Sequence, residues 1–169
     1  MPTLISKEEA LARIVAEGGQ PACLMCAVLE GRVGGIYTVF EDDRVVLMLP
    51  RYVRCWGHVA VVPKAYVVTF EECGNELWLH IQSVAFRASR MIESLRAPKR
   101  VYNTSTGSNT RELTQTSRHI HVHVIPVDSE EDRPSDVFTW SNGIWVGEHD
   151  EWVALRDEYR AWWQRSLTP

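Results

Sequence analysis

No stretch of this 169-residue chain reaches the roughly 18 consecutive apolar residues that a membrane-crossing helix needs. Met1 to Gln20 is broken by Lys7, Glu8, Glu9 and Arg13, so it carries no secretory apolar core. Lysine and arginine never gather into a run that would track a phosphate backbone. With a net charge of −4, the chain is not expected to bind nucleic acid. No internal repeat and no low-complexity linker occurs. The expectation is a soluble intracellular, cytoplasmic protein without a membrane partner. Its four cysteines, Cys23, Cys26, Cys55 and Cys73, should then be thiols or metal ligands rather than disulfides.

What is present suits one domain over residues 1–169, with 45% apolar residues to build a core. Ser6-Lys7-Glu8-Glu9 reads as a capping box, and Leu11, Ile14 and Val15 follow at helical spacing, so residues 7–17 are expected to be helical. Ile36 to Phe40 and Arg44 to Leu49 flank the acidic turn Glu41-Asp42-Asp43 and read as a hairpin. His58 to Val62 is a strand that stops at Pro63. Phe70 to Leu95 has Leu77, Ile81, Val84, Ala88 and Ile92 on one helical face. Val101 to Asn103 reads as a further strand, residues 104–112 as a loop, and Arg118 to Val127 as the last clear strand. Ser129 to Asp136 is charged and breaks order, and Trp140 to Trp145 reads as short and irregular. Glu151 to Leu167 is expected to form a C-terminal helix with Trp152, Leu155, Tyr159 and Trp162 on one side.

The informative segment is His119-Ile120-His121-Val122-His123-Val124-Ile125. On a strand, alternate side chains share a face, so the three histidines line one side with neighbours roughly 6 to 7 Å apart. Ile120, Val122 and Val124 point into a core and fix the register, because a slip of one residue would bury three imidazoles. An imidazole is neutral enough near pH 7 to attack phosphorus, and its neighbours lend charge and orientation. Clusters of this kind serve either a metal or a covalent reaction.

This segment resembles the signature of the histidine triad superfamily, matching its histidine and apolar pattern at all seven positions. Gly57-His58-Val59-Ala60-Val61-Val62-Pro63-Lys64 resembles the family's strand leading to the pocket, and Phe40-Glu41-Asp42-Asp43-Arg44 its first hairpin. Gln115 precedes the triad as the family's glutamine does. The resemblance covers about residues 21–127, leaving 128–169 as a C-terminal extension. It implies an α+β fold with an antiparallel sheet of about five strands and packed helices, with N-terminal and C-terminal helices added. It also implies a two-fold homodimer and a small-molecule nucleotide substrate. The implied reaction is hydrolysis or nucleotidyl transfer at an α-phosphate, with no cofactor required. His121 takes the role of nucleophile, His123 contacts the phosphate, His119 supports the ring of His121, and His58 lines the pocket. Gln115, Thr116 and Asn103 are the implied substrate contacts.

Four features depart from the family pattern. Cys23-Leu24-Met25-Cys26 has metal-ligand spacing, yet Tyr66 stands where zinc-containing relatives place a histidine. Cys23, Cys26 and His119 would therefore form an incomplete structural zinc site. Pro50 falls where nucleoside-binding members carry a ribose-gripping acid. The loop from Asn103 to Gln115 is longer than the family's and contains Arg111, which could meet a second phosphate; either Asn103 or Asn109 stands for the family asparagine. The tail carries Trp140, Trp145, Trp152, Trp162 and Trp163, read mainly as a packing segment, while Trp56 is placed to stack on a substrate ring. Cys55, Cys73, His80 and His149 read as structural. Two other readings stand beside the covalent one: a zinc-dependent hydrolase using the histidines as ligands, and a non-catalytic nucleotide-binding module.

Overall fold

The computed structural model describes residues 1–18, 24–32, 37–105, 107 and 118–166. In chain order the elements are β1 (Thr3–Ile5), α1 (Lys7–Gly18), α2 (Leu24–Leu29), β2 (Tyr37–Glu41), β3 (Val45–Leu49), β4 (Val59–Pro63), α3 (Phe70–Arg96), β5 (Arg100–Thr104), β6 (Val122–Val127), α4 (Pro134–Thr139), β7 (Ile144–Val146) and α5 (His149–Arg165). Five strands form one antiparallel sheet in the order β2-β3-β4-β6-β5, and β1 pairs with β7 in a separate two-stranded ribbon. Among the described residues no helix is long and apolar enough to cross a membrane.

The alternation of side chains gives the large sheet two apolar faces. On one, Val45, Leu47, Val59, Val61, Val122 and Val124 pack under α3 and α5. On the other, Val46, Met48, Ala60 and Val62 meet Met25, Ala27 and Val28 of α2. Farther along that second face, Ile125 and Val127 meet Val137 of α4, with Cys55 and Tyr102 against them. The central strands are thus covered on both sides, which is why they read as unbroken apolar runs.

The β2–β3 turn is built by Asp42, whose Oδ1 accepts the backbone N–H groups of Arg44 and Val45 at 2.8 and 2.9 Å. His80 of α3 donates from Nε2 to Asp42 Oδ2 at 2.7 Å and accepts at Nδ1 from Arg44 at 3.1 Å, tying the turn to the helix. Burial opposes charge on Asp42, but the two backbone donors and His80 outweigh it and hold its carboxyl below the usual range. Helix α3 opens with a full capping box, Glu72 N–H to Thr69 Oγ1 at 3.2 Å and Glu72 Oε2 back to the Thr69 N–H at 3.2 Å. At Ser6 only half of the expected box forms. Glu9 N–H donates to Ser6 Oγ at 3.1 Å, while the Glu9 carboxylate takes Arg13 instead.

Several expectations are revised. The ladder of β6 begins at Val122, so His119 and His121 lie on the extended approach to the strand rather than within it. The charged stretch ending at Asp136 leads into α4, whose first residue is Pro134. Part of the Trp140–Trp145 segment is the ordered strand β7. Of the two adjacent tryptophans of α5, Trp163 is the buried one.

Both chain ends converge on the loop between β3 and β4. Val53 exchanges two backbone hydrogen bonds with Trp145, at 3.2 and 2.8 Å. From α1, Glu17 accepts the Tyr52 hydroxyl at 2.9 Å and pairs with Arg51 at 3.2 Å. Ile5, Ala10, Tyr52, Trp140 and Ile144 close this junction with a small apolar cluster. The loop so clamped delivers His58.

Candidate active site

His58, His121 and His123 meet on the α2 and α4 side of the sheet. Their backbones are set by pairing: His123 lies opposite Ala60 on β4 and opposite Thr104 on β5. The preceding residue Ile120 is pinned by its N–H to the Val67 carbonyl at 2.8 Å. His58 enters after Gly57, whose φ of +94° suits glycine, and a Cβ there would meet Arg96 Nε and Tyr159 Oη at 2.7 Å. Tyr159, fully buried in α5, donates its hydroxyl to the Gly57 carbonyl at 2.9 Å.

The proton positions follow from counting donors and acceptors. His121 Nδ1 faces the carbonyl of His119 at 2.7 Å, so Nδ1 carries the proton and Nε2 keeps its lone pair. His121 Nε2 lies 2.9 Å from His123 Nε2, which must therefore donate. His123 Nδ1 then accepts from His58 Nε2 at 2.8 Å. His58 Nδ1 is left as an acceptor, buried and without a hydrogen-bond partner among the described residues. One chain of N–H groups runs from His58 through His123 to the lone pair of His121.

This order requires neutral rings. Burial is the main force that lowers the pKa of each of the three, and His121 is held to about 4. His58 and His123 lie well below the usual histidine range, where mutual repulsion and the charge of Arg54 add to burial. Arg54 also acts on His121. The arginine itself is desolvated, which brings its pKa down to about 10. Its guanidinium lies 5.6 Å from the centroid of the Trp140 ring, and its Nε is buried without a hydrogen-bond partner.

His119 stands apart from the other three. Its Nε2 donates to the Ala65 carbonyl at 2.9 Å, so Nδ1 is the acceptor that faces Cys26 Sγ at 3.8 Å, and Tyr66 lies edge-on to the ring at 5.3 Å. A hollow of about 420 Å³ opens beside it, lined in part by Cys26, Glu30, Lys64 and Tyr66. A nitrogen and a sulfur at this separation suit two ligands of one zinc ion. Among the described residues, however, no three histidine, cysteine or acidic side chains converge to hold a metal. Cys23 lies outside the described residues, as do Asn109, Arg111, Gln115 and Thr116.

Two side chains go elsewhere than expected. Asn103 pairs with Val124, which places it on the α3 side of the sheet, where its side chain bonds Ser89 of α3 at 2.8 Å. It does not join the histidines. Trp56 packs on Trp152 with ring centroids 4.3 Å apart, on the α5 side, and is not presented to the pocket. His80 bonds Asp42 at 2.7 Å, Cys73 packs in the core, and His149 bonds the Tyr37 hydroxyl at 3.1 Å. Burial first, then Asp132 and Asp128, push the Cys55 thiol up to about 11, so it is not a reactive thiolate at neutral pH. No sequence motif includes Arg54, and Tyr159 reads from sequence only as part of the packing side of the C-terminal helix. The pairing of Arg51 with Arg54 just before His58 was a usable signal, whereas nothing local marks Tyr159.

Such an arrangement can present an imidazole lone pair to an electrophile and offer an N–H beside it. The HIT domain profile matches residues 37–130, and the chain belongs to that family. An uncharacterized HIT-like protein of Saccharolobus solfataricus is 27% identical over 110 residues, covering 64% of this chain and 76% of the relative. The fold is similar to that of a zinc-bound histidine triad family protein from Mycobacterium smegmatis. That match has a TM-score of 0.62 and 20% identity, and it covers 88% of this chain and 99% of that one. A hypothetical histidine triad nucleotide-binding protein from Sulfolobus tokodaii matches with a TM-score of 0.64 and 24% identity over 82% and 90% of the two chains. The diadenosine triphosphate hydrolase of Plasmodium falciparum matches with a TM-score of 0.62 and 11% identity over 78% and 79%.

Proposed function

We propose that the protein is a nucleotide phosphohydrolase or nucleotidyl transferase that acts at an α-phosphate through a covalent intermediate on His121. The observation that carries this reading is the proton order at His121. Its Nδ1–H is committed to the His119 carbonyl at 2.7 Å, and its neutral Nε2 points at a donor. An entering phosphate displaces His123 from that nitrogen, and the His123 N–H turns to a phosphoryl oxygen. As the Nε2–P bond forms, the bond from phosphorus to the leaving group breaks and its electron pair departs with the leaving group. The imidazolium so created is stabilised by the His119 carbonyl at Nδ1. Water, or an acceptor in the transfer reaction, then attacks phosphorus and frees Nε2. The nucleotide-binding and hydrolase names of two similar structures support the substrate class.

The test is a panel of nucleoside phosphoramidates, dinucleoside polyphosphates and nucleotide sugars, with and without chelator, on the wild type and His121→Ala. One class should turn over, resist chelator and lose all turnover in the folded variant. Acid quench should trap phosphorus on His121. Residual turnover in His121→Ala would refute the covalent route, and nucleotide binding without turnover would favour the binding-module reading.

A second reading concerns zinc. The Cys26–His119 pair supports a structural ion with Cys23 as third ligand, a site one ligand short because Tyr66 stands at the fourth position. Elemental analysis of the purified protein should find about one zinc per chain, lost in Cys26→Ser; a metal-free wild type would dispose of it. We also propose a two-fold homodimer, which sedimentation velocity tests.

A further inference from the structure

Among the described residues Arg54 is a cation without an ion-pair partner. No hydrogen bond or ion pair joins its guanidinium to another described side chain, and its Nε is buried without a partner. Arg96 shares the buried, unbonded Nε but its guanidinium has Asp128 at 3.8 Å, and Arg87 bonds the Trp163 carbonyl and Ser166. A desolvated, uncompensated charge is unfavourable unless an anion meets it. The position of Arg54 is also built. Its neighbour Val53 is locked to Trp145 by two backbone hydrogen bonds, and Trp140 lies beneath the guanidinium at 5.6 Å.

Arg96 lies against Gly57 in the same region, but its charge is met by Asp128 at 3.8 Å. His58, His121 and His123 are neutral in the proton order derived above, so they offer N–H groups and a lone pair but no cation. Arg54 is near enough to all three to repel protons from each.

We propose that Arg54 binds the anionic phosphoryl oxygens of the substrate, and that this site selects its ligand through charge on phosphate. The assignment rests on the function proposed above and specifies its substrate as a phosphate carrying free negative oxygens. A guanidinium donates two parallel N–H bonds to such a group, an arrangement that lysine's single ammonium reproduces only in part.

Calorimetric titration of the full chain with inorganic phosphate, AMP and adenosine tests this in the wild type, Arg54→Lys and Arg54→Met. Methionine fills similar space without charge, and replacing a poorly compensated buried charge with it is commonly tolerated. Arg54→Met should therefore melt at or above the wild-type temperature yet bind phosphate and AMP at least about tenfold more weakly. Arg54→Lys should recover part of that loss, and adenosine should bind all three alike. Equal weakening of adenosine, or unchanged AMP and phosphate binding in Arg54→Met, would overturn the proposal. So would a wild type that binds neither anion. If Arg54→Met does not fold, the lysine variant decides: affinity for phosphate falling while adenosine holds supports the assignment, and affinity unchanged for both refutes it. Wild-type binding of phosphate but not AMP, lost in Arg54→Met, would keep Arg54 and discard the nucleotide reading.

Discussion

His121 is useful only while its Nε2 keeps a lone pair, and burial secures this by holding its pKa near 4. The same burial makes folding depend on pH. His58, His121 and His123 are neutral in the fold, whereas an unfolded chain protonates them near pH 6.5. Between those limits the unfolded state binds more protons, so stability rises with pH. The contribution is complete above about pH 6.5 and falls on acidification; for His121 it is lost toward about pH 4, at up to about 1.4 kcal/mol per pH unit. Guanidinium unfolding at about pH 7.5 and about pH 5 should show a clear fall in midpoint on the acid side. A midpoint that holds or rises would mean that these rings are charged in the fold, and the proton order would have to be redrawn.

Among the elements, those that the sequence disclosed are the ones whose pattern and pairing agree. The β2–β3 hairpin, β4, α3 and the histidine face all rest on apolar periodicity that the two sheet faces then bury. Strands β1 and β7 were not legible. Each has only three residues, too few for an alternation to show even in β-favouring residue types, and each is held by a partner at the far end of the chain. Helices α2 and α4, at six residues apiece, show too short a period to read. Asn103 was misplaced because only the β5–β6 register decides its face. Arg54 gained its meaning from having no ion-pair partner among the described side chains, which is a property of space and not of local sequence. Helix α5 was read as packing, but its Tyr159 also holds the backbone that introduces His58. Tyr159→Phe should cost about 1 to 2 kcal/mol in urea unfolding, because a buried carbonyl loses its donor. Turnover should fall with it, and full activity in this variant would mean that Gly57 is positioned by its surroundings alone.

At the scale of the whole molecule, segments outside the matched domain complete the site's support. The α-amino group of Met1 pairs with Glu151 at 2.8 Å, β1 pairs with β7, and β7 is followed by α5. Deleting residues 1–5 removes one side of this ribbon without touching a histidine. Hydrogen exchange at the Val53 and Trp145 amides should then accelerate by about tenfold or more, while the core of α3 stays protected. Unchanged exchange at those amides would show that the Val53–Trp145 bridge stands without β1.

That bridge also sets an order in time. During synthesis the triad segment leaves the ribosome before Trp145 and Tyr159, so His58 has no finished mooring while the strands around it are already available to pair. Closing Val53 onto Trp145 spans most of the chain, and contacts of such separation form late. A nascent chain stalled before β7 should therefore hold a sheet and three histidines yet bind no phosphate, with competence arriving only as the last helix emerges.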